Sequence, residues 1–291
     1  MAAIKNKNYL ANSQNLTTRY GNVPVIYVES EEDKYVFADC WFRDQLSKVE
    51  FKPASEKANT SGCTGVIQAV ANEKQAGNSA WGIVDRDTTM SQNLWHLVDE
   101  IDDDKFEVAK PFGESIKVLN RWEMESYLVD AEALEHHRAA INKQSVRHLN
   151  DVHKELLDCC DALVPHAAIN AVLHTKNLVG LGDGFTNRFA SRKEVEVEIQ
   201  SIKFPQLSES EQIDYQQHIS KVEAFDNSAA TNDELRVSSY LRRIYGKAVL
   251  SRFMCLHKIQ VDLDGLLAKR IEEKDRVPKE LSEFVNFVVT A

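Results

Sequence analysis

The chain has 291 residues, of which 43% are apolar, and a formal net charge of −10. This size predicts two domains, and the negative charge excludes nonspecific duplex binding over the whole surface, because phosphate neutralisation needs clustered Lys and Arg. The polar N-terminus lacks a signal-peptide core, no apolar run approaches the roughly 18 residues of a membrane span, and the five cysteines include no C-x-x-C pair. We therefore expect a cytoplasmic protein without membrane association, disulfides or structural zinc.

The first 84 residues alternate between strand and helix patterns. Short apolar runs rich in β-branched residues predict strands, and apolar residues three or four positions apart predict helices. This alternation implies βαβ units and a parallel sheet, with ligands beyond the carboxyl ends of the strands. In chain order the predicted elements are a strand at 24–28 (PVIYV), a helix at 31–47, a strand at 48–53 (KVEFKP), a turn at 59–62, a helix at 63–75 and a strand at 80–84 (AWGIV).

The rest of the chain has a more helical pattern. We place a domain boundary near Asp130, which gives an α/β domain at 1–130 and a mainly helical domain at 131–291. The predicted segments are an acidic helix end and turn at 97–107, strand material at 115–129, helices at 131–160 and 162–178, and an alternating strand at 194–204 (EVEVEIQSIKF).

Acidic side chains directly follow two of the predicted strands. Asp85 and Asp87 come after the third strand, and Glu29 comes after the first. Asp33, four residues after Glu29, lies on the first turn of the following helix. Because parallel strands end at one edge of a sheet, we expect these carboxylates to converge on Mg²⁺ or Mn²⁺, which prefer hard oxygen ligands. Two such ions would support phosphodiester cleavage, one at the attacking oxygen and one at the leaving oxygen.

The acidic pattern resembles that of the Toprim family. That family has a Glu after its first strand and an Asp-x-Asp after its third, which here are Glu29 and Asp85-Arg86-Asp87. Many topoisomerase and primase Toprim domains have Gly after the Glu, whereas this chain has Ser30. The spacing from Glu29 to Asp33 is more similar to the OLD-like branch, which consists of metal-dependent nucleases. The resemblance implies a Toprim fold, similar to a Rossmann fold, for the first domain.

OLD-like enzymes also have a later acid and a lysine beyond the core acids. Within RWEMESYL (121–128), Glu125 or Glu123 matches the later acid. Lys176 is a candidate for the lysine, beside Lys143 and Lys154. The resemblance implies that these groups bind metal or stabilise the transition state.

Within this branch, the segments VESEEDKYVF and GIVDRD, the chain length and the helical remainder resemble the AriB-type effectors of the PARIS anti-phage system. This resemblance, which covers residues 22–130, implies a toxic endoribonuclease that cleaves transfer RNA. It further implies a homodimer when active, and an ABC- or AAA-type ATPase partner that holds the effector inactive. The helical domain would then serve dimerisation and the binding of partner and substrate.

Charge is segregated in the second half of the chain. Residues 194–235 hold ten acids and two lysines, whereas residues 236–258 hold six Lys or Arg and no acid. Cations interleaved with aromatic rings are typical of grooves that bind single-stranded nucleic acid. A solvated helix face, or a surface for an acidic partner, is an equally open interpretation. The candidate nucleic-acid residues are Arg242, Arg243, Lys247 and Arg252.

Three other functions remain open. The first is an OLD-like DNA nuclease rather than a ribonuclease. Residues Trp81–Thr89 also match the first motif of haloacid-dehalogenase phosphatases, with Asp85 as nucleophile and Asp87 as acid/base, although this motif gives Glu29 no role. The non-enzymatic alternative is a degenerate Toprim domain that serves as a binding module.

Overall fold

The computed structural model describes residues 23–58, 60, 62–228, 232–259 and 263–291. The polar N-terminus and part of the predicted turn at 59–62 lie outside the described residues. The fold is α/β, as predicted, with a four-stranded parallel sheet and a helical C-terminal region. The strand order is β2-β1-β3-β4, where β1 is Val25–Val28, β2 is Glu50–Pro53, β3 is Ala80–Val84 and β4 is Ile116–Val118.

The described α-helices are, in chain order, α1 (Glu31–Lys34), α2 (Gly62–Gln75), α3 (Asp87–Ser91), α4 (Trp95–Val98), α5 (Asp103–Ala109), α6 (Ala131–Asn142), α7 (Leu149–Thr175), α8 (Arg192–Lys203), α9 (Glu209–Ser228), α10 (Asp233–Tyr240), α11 (Gly246–His257), α12 (Leu263–Glu273) and α13 (Lys279–Thr290). The chain forms two compact units. Unit 1 comprises the described residues up to Val84 together with Phe112–Lys117 and Val277–Ala291, and unit 2 comprises Asp85–Pro111 and Val118–Arg276.

The two central strands of the sheet, β1 and β3, are buried because they are apolar on both faces. Ile26, Val28 and Val84 are at most 1% exposed, as expected for a parallel sheet covered by helices. Helix α2 packs closely on β3, since a Cβ added to Gly82 would lie only 2.5 Å from Cγ1 of Val66. Glycine at this position therefore permits the close approach of α2 to the sheet.

The predicted helix at 31–47 is divided into shorter pieces. Helix α1 continues as a π-helix over Tyr35–Trp41, and a 3₁₀ turn follows at Arg43–Gln45. Phe37 stacks on Phe42 and on Phe51 of β2, with ring centroids 6.3 and 5.8 Å apart. This aromatic cluster stabilises the packing of the segment on the edge strand of unit 1.

Helix α7 is the central helix of unit 2. Cys159 and Cys160 are at most 1% exposed, and burial raises the pKa of both thiols, so both serve as core residues, as predicted. By length and composition α7 is the one described helix that could cross a membrane, but 89% of its most apolar 18-residue window is buried. A core helix of a folded domain passes the same test, so this is weak evidence for a membrane span.

The prediction of a strand at 194–204 was wrong. This segment belongs to α8, where Ser191 caps the N-terminus by accepting a hydrogen bond from the backbone of Glu194. Val195 and Ile199, four residues apart, are fully buried, whereas Val197 is 59% exposed. The alternating pattern therefore coincides with a narrow helical stripe, and the Glu and Lys residues favour the helix.

The strand predicted over 115–129 is much shorter in the structure. Only Ile116–Val118 forms a strand, and Met124–Tyr127 forms a 3₁₀ turn. Asp130, near which we placed the domain boundary, caps α6 by accepting from the backbone of Ala133 at 2.8 Å. The compact units divide the chain at other positions, because β4 and α13 belong largely to the same unit as the N-terminal strands.

A buried ionic network connects α6 to the segment before α7. Arg138 donates to both carboxylate oxygens of Glu135 at 2.7 Å, and the backbone and side chain of Arg147 donate to the same carboxylate at 2.7 and 2.9 Å. Burial by itself raises the pKa of Glu135, but these hydrogen bonds together outweigh it and lower the pKa to about 2. The network therefore stabilises the ionised carboxylate.

We predict that Glu135→Gln lowers the free energy of unfolding at pH 7 by about 3–5 kcal/mol, since it leaves the buried Arg138 without its counter-ion. Because the folded-state pKa lies below the ordinary value of 4.5, the wild-type advantage is complete above that value and disappears as the pH falls towards 2. Urea unfolding at pH 7, 4 and 3 measures both effects. Glu198→Gln, which removes an exposed pair with Arg188, should change stability by less than about 1 kcal/mol. An equal loss in both variants would contradict the prediction.

Candidate functional site

Unit 2 brings four carboxyl groups together with one lysine. The backbone N–H of Met124 donates to Oδ1 of Asp85 at 2.9 Å. The amine of Lys247 lies 3.1 Å from Oε1 of Glu125, and its backbone N–H donates to Oε1 of Glu123 at 2.7 Å. The charges on Glu125 and Lys247 both act on the nearby Asp87. We refer to Asp85, Asp87, Glu123, Glu125 and Lys247 as the carboxylate–lysine cluster.

Three segments far apart in sequence build this cluster. The segment that follows β3 is connected to the segment that follows β4 by a hydrogen bond from the backbone N–H of Asp87 to the carbonyl of Trp122 at 3.1 Å. Glu123 then begins the 3₁₀ turn and forms a capping box with Ser126. The third segment is the N-terminus of α11, which contributes Lys247.

Gly246 allows α11 to approach this turn. A Cβ at Gly246 would lie 2.3 Å from the backbone nitrogen of Ser126 and 2.7 Å from the carbonyl carbon of Glu125. Both neighbours are backbone atoms, which cannot move aside as the end of a flexible side chain can. Glycine therefore permits the contact that places the backbone of Lys247 against Glu123.

The carboxyl groups carry more negative charge than Lys247 offsets. Burial, together with the charges on Glu125 and Asp87, raises the pKa of Glu123 to about 8, against the opposing effect of the hydrogen bond and charge of Lys247. Burial and the charge on Glu125 likewise raise the pKa of Asp87 to about 6, although Lys247 opposes this shift. Desolvated like charges of this kind bind protons or cations.

The donor chemistry fits a hard divalent cation, since carboxylate oxygens are the ligands that Mg²⁺ and Mn²⁺ prefer. Within the described part of the chain, however, no group of three or more His, Cys, Asp or Glu side chains is already arranged to hold a metal ion. The cation present in the cluster is the Lys247 ammonium group, which pairs with Glu125.

Glu29 and Asp33 belong to unit 1. Glu29 directly follows β1, and its Oε2 lies 3.5 Å from the position that a Cβ of Gly62 would occupy. Asp33 forms a capping box with Ser30, in which each backbone N–H donates to the other side chain at 3.0 Å. The spacing of Asp33 from Glu29 is thus explained by helix capping without a metal ion. The neighbouring strands β1 and β3 are parallel, so Val28 and Val84 end at the same sheet edge.

The structure does not bring Lys176 into the cluster. Lys176 ends α7, and its amine forms an ion pair with Glu211. Lys247, for which we predicted a contact with nucleic acid, lies against the acids of the cluster. Its proximity was not readable from the sequence because it lies 124 residues from Glu123. The local sequence feature that accompanies this contact is Gly246 directly before Lys247 at the start of α11.

The basic run at 236–258 does not form the expected exposed groove. Arg242 is 8% exposed, Arg243 is fully buried and Arg252 is 4% exposed. Arg252 donates to the carbonyl of Thr186 at 2.5 Å, and Arg242 pairs with Asp103 at 2.6 Å. Arg252 lies on α11, and Arg242 and Arg243 lie in the turn before it. All three guanidinium groups are in the interior, which a linear count of charges does not reveal.

Comparisons with known proteins add no assignment to this geometry. No protein-family model matches the chain, and no curated protein and no solved structure matches it.

We predict that Gly246→Ala separates the N-terminus of α11 from the turn at Met124–Tyr127, because the added methyl group meets backbone at 2.3 Å. The expected loss is about 1–3 kcal/mol in the free energy of unfolding, as for overpacking in a core. Urea denaturation measures this loss, and Gly182→Ala is the matched control, since a Cβ at Gly182 has no neighbour within 4 Å. Unchanged stability in Gly246→Ala would show that the contact is not tight.

Proposed function

We propose that the chain is a metal-dependent nuclease whose carboxylate–lysine cluster performs phosphodiester chemistry. The observation that carries this proposal is the concentration of four carboxyl groups, only partly neutralised by Lys247, of which Asp85 and Asp87 follow β3 in the chain. Asp85, Asp87 and Glu125 would hold Mg²⁺ or Mn²⁺. Glu29 is the further ligand that the Toprim resemblance assigns. Asp33 is the proposed ligand with the least support, because its carboxylate already caps α1.

The residues of the cluster have distinct roles in this proposal. Bound divalent ions would supply Lewis acidity at the attacking and leaving oxygens. Met124 holds Asp85 in place through its backbone N–H. The half-exposed Lys247 can bind a non-bridging phosphate oxygen while it remains next to Glu125. Its ammonium group would then stabilise the negative charge that develops in the transition state.

The substrate and partners follow from the resemblance to AriB-type effectors. We propose RNA, and transfer RNA in particular, as the substrate in bacterial anti-phage defence, with an ABC- or AAA-type ATPase partner and a homodimeric active form. An OLD-like DNA nuclease is the second candidate, because the cluster recognises phosphate chemistry that RNA and DNA share. The burial of Arg242, Arg243 and Arg252 leaves Lys247 as the proposed nucleic-acid contact.

The phosphatase alternative receives less support. In that alternative Asp85 would be the nucleophile and Thr89 would lie at the reaction centre. The Thr89 side chain is fully buried and its hydroxyl donates to the carbonyl of Arg86 at 2.6 Å. A hydroxyl used in this way stabilises the first turn of α3. A binding module without catalysis gives no reason to keep several desolvated carboxylates together.

We predict that the purified protein cleaves RNA with Mg²⁺ or Mn²⁺, and that Asp85→Asn or Glu29→Gln reduces the rate at least ~100-fold, since each removes one negative metal ligand. Cleavage is measured on a mixture of transfer RNA, other RNA and DNA, with sequencing of the cut ends. Asp158→Asn is the control, because Asp158 lies on the exposed face of α7.

Cleavage without a divalent ion, or full activity in both the Asp85→Asn and the Glu29→Gln variant, would refute the nuclease proposal. Turnover of small phosphate esters without nucleic-acid cleavage would favour the phosphatase. Since the resemblance implies that a partner controls activity, the same variants are also compared by growth arrest on expression in bacteria. Equal toxicity of wild type, Asp85→Asn and Glu29→Gln would likewise count against the proposal.

A second prediction separates the two candidate lysines. Lys247→Met should reduce cleavage at least ~100-fold, because it removes a positive charge next to the carboxylates. Lys176→Met removes only the surface pair with Glu211 and should retain the wild-type rate within about threefold. The reverse result would assign the catalytic role to Lys176. Circular dichroism and urea unfolding of both variants show whether a loss reflects unfolding.

A further inference from the structure

Unit 2 contains a second concentration of charge, formed by buried arginines. Arg86 and Arg243 are fully buried and Arg242 is 8% exposed. The pKa of Arg86 is lowered to about 9. Burial is the largest cause, and the positive charges on Arg242 and Arg243 contribute to the same shift. Two carboxylates face this group: Asp99 and Asp103, of which the Asp103 side chain is 55% exposed. Positive charge is therefore in excess in the interior.

The three guanidinium groups are not equally satisfied. Arg86 donates to the carbonyls of Asn120, Leu97 and Glu100 at 2.6–3.0 Å, and Arg242 pairs with Asp103. Arg243 differs from both, since none of its three side-chain nitrogens has a hydrogen-bond partner among the described residues. Its Nε lies 3.8 Å from Oδ1 of Asp99, which is too long for a hydrogen bond.

The surroundings of Arg243 include other polar atoms without partners. Its guanidinium carbon lies 4.6 Å from the centre of the Trp122 ring. The indole Nε1 of Trp122, Nδ1 of His218 and Oδ1 of Asp99 are all buried without a hydrogen-bond partner in the described part of the chain. The second oxygen of Asp99 pairs with Lys221 at 2.8 Å. Asp99 therefore cannot fully neutralise Arg243.

An unpaired buried guanidinium group is among the most costly arrangements in a protein interior, because it loses hydration without gaining acceptors. Buried polar groups in native structures are normally paired with protein, water or an ion. The stacking on Trp122 compensates only part of the lost hydration and provides no hydrogen-bond acceptor. The excess of positive charge around Arg243 favours an anion over neutral water molecules.

We propose that Arg243, with Trp122 and His218, forms an internal site in unit 2 for a small inorganic oxyanion such as phosphate or sulfate. The planar guanidinium group can donate two parallel hydrogen bonds to such an anion. The full burial of Arg243 and Trp122 limits the ligand to a size that the folded unit can enclose. A nucleotide or a polynucleotide end is therefore excluded as the occupant. This proposal does not depend on the nuclease activity.

The test measures thermal unfolding of the full chain in chloride, inorganic phosphate and adenosine monophosphate at matched ionic strength. Phosphate at 100-fold above its dissociation constant should raise the midpoint by about 5–10 °C, and isothermal titration should give one phosphate per chain. Adenosine monophosphate should have no such effect. Arg243→Met should lose the phosphate response whatever its basal stability, and Arg243→Lys should weaken it at least ~10-fold in affinity, because one ammonium group cannot donate in parallel.

Arg252→Met is the matched control, since Arg252 is also buried but donates to backbone carbonyls. It should lose stability and keep the phosphate response. Equal responses of wild type and Arg243→Met would place the anion elsewhere, and no response in the wild type would show that water alone satisfies Arg243. Either result overturns the proposal. Stabilisation by the nucleotide equal to that by phosphate would also overturn it, because the site would then not be enclosed.

Discussion

The mutual repulsion of carboxyl groups in unit 2 is the constraint to which the surrounding structure responds. Two carboxylates about 4 Å apart repel by roughly 4 kcal/mol at an effective dielectric constant of about 20. Lys247 offsets part of this repulsion through Glu125, and the N-terminus of α11 donates a backbone N–H to Glu123. Helix N-termini favour negative charge. The approach of α11 that Gly246 permits is therefore an electrostatic requirement of the cluster as well as a packing contact.

Opposite charges are separated within the same short segments. Between Asp85 and Asp87, which contribute to the carboxylate–lysine cluster, Arg86 is buried and donates to backbone carbonyls. Three consecutive residues thus supply two acids to the carboxylate–lysine cluster and one guanidinium group to the buried arginines. Neither region neutralises the other, since the charges that act most strongly on Asp87 come from Lys247 and Glu125. Unit 2 therefore contains two concentrations of charge of opposite sign, one at the carboxylate–lysine cluster and one around Arg86, Arg242 and Arg243.

The sequence was most informative where a local pattern determines the structure. The strand at Ala80–Val84 was predicted at its exact bounds because a five-residue run ending in Ile and Val has one clear interpretation. The segment at 194–204 was misread, since Glu-Val alternation fits both a strand and a narrow helical stripe. The contact between Lys247 and Glu123 depends on packing between distant segments, and a single sequence contains no measure of that distance.

Several desolvated carboxylates are hard to explain by stability alone. Buried ionic groups can often be replaced by apolar residues of similar volume without loss of stability, and sometimes with a gain. The network around Glu135 differs from the cluster in this respect, because hydrogen bonds from Arg138 and Arg147 lower the pKa of that carboxylate, whereas in the cluster the pKa values of Asp87 and Glu123 are raised. One arrangement satisfies its charge internally and the other does not. A cluster of carboxylates whose charge is not satisfied internally favours the binding of a cation, and this difference from the Glu135 network is the physical reason for our proposal of catalysis there.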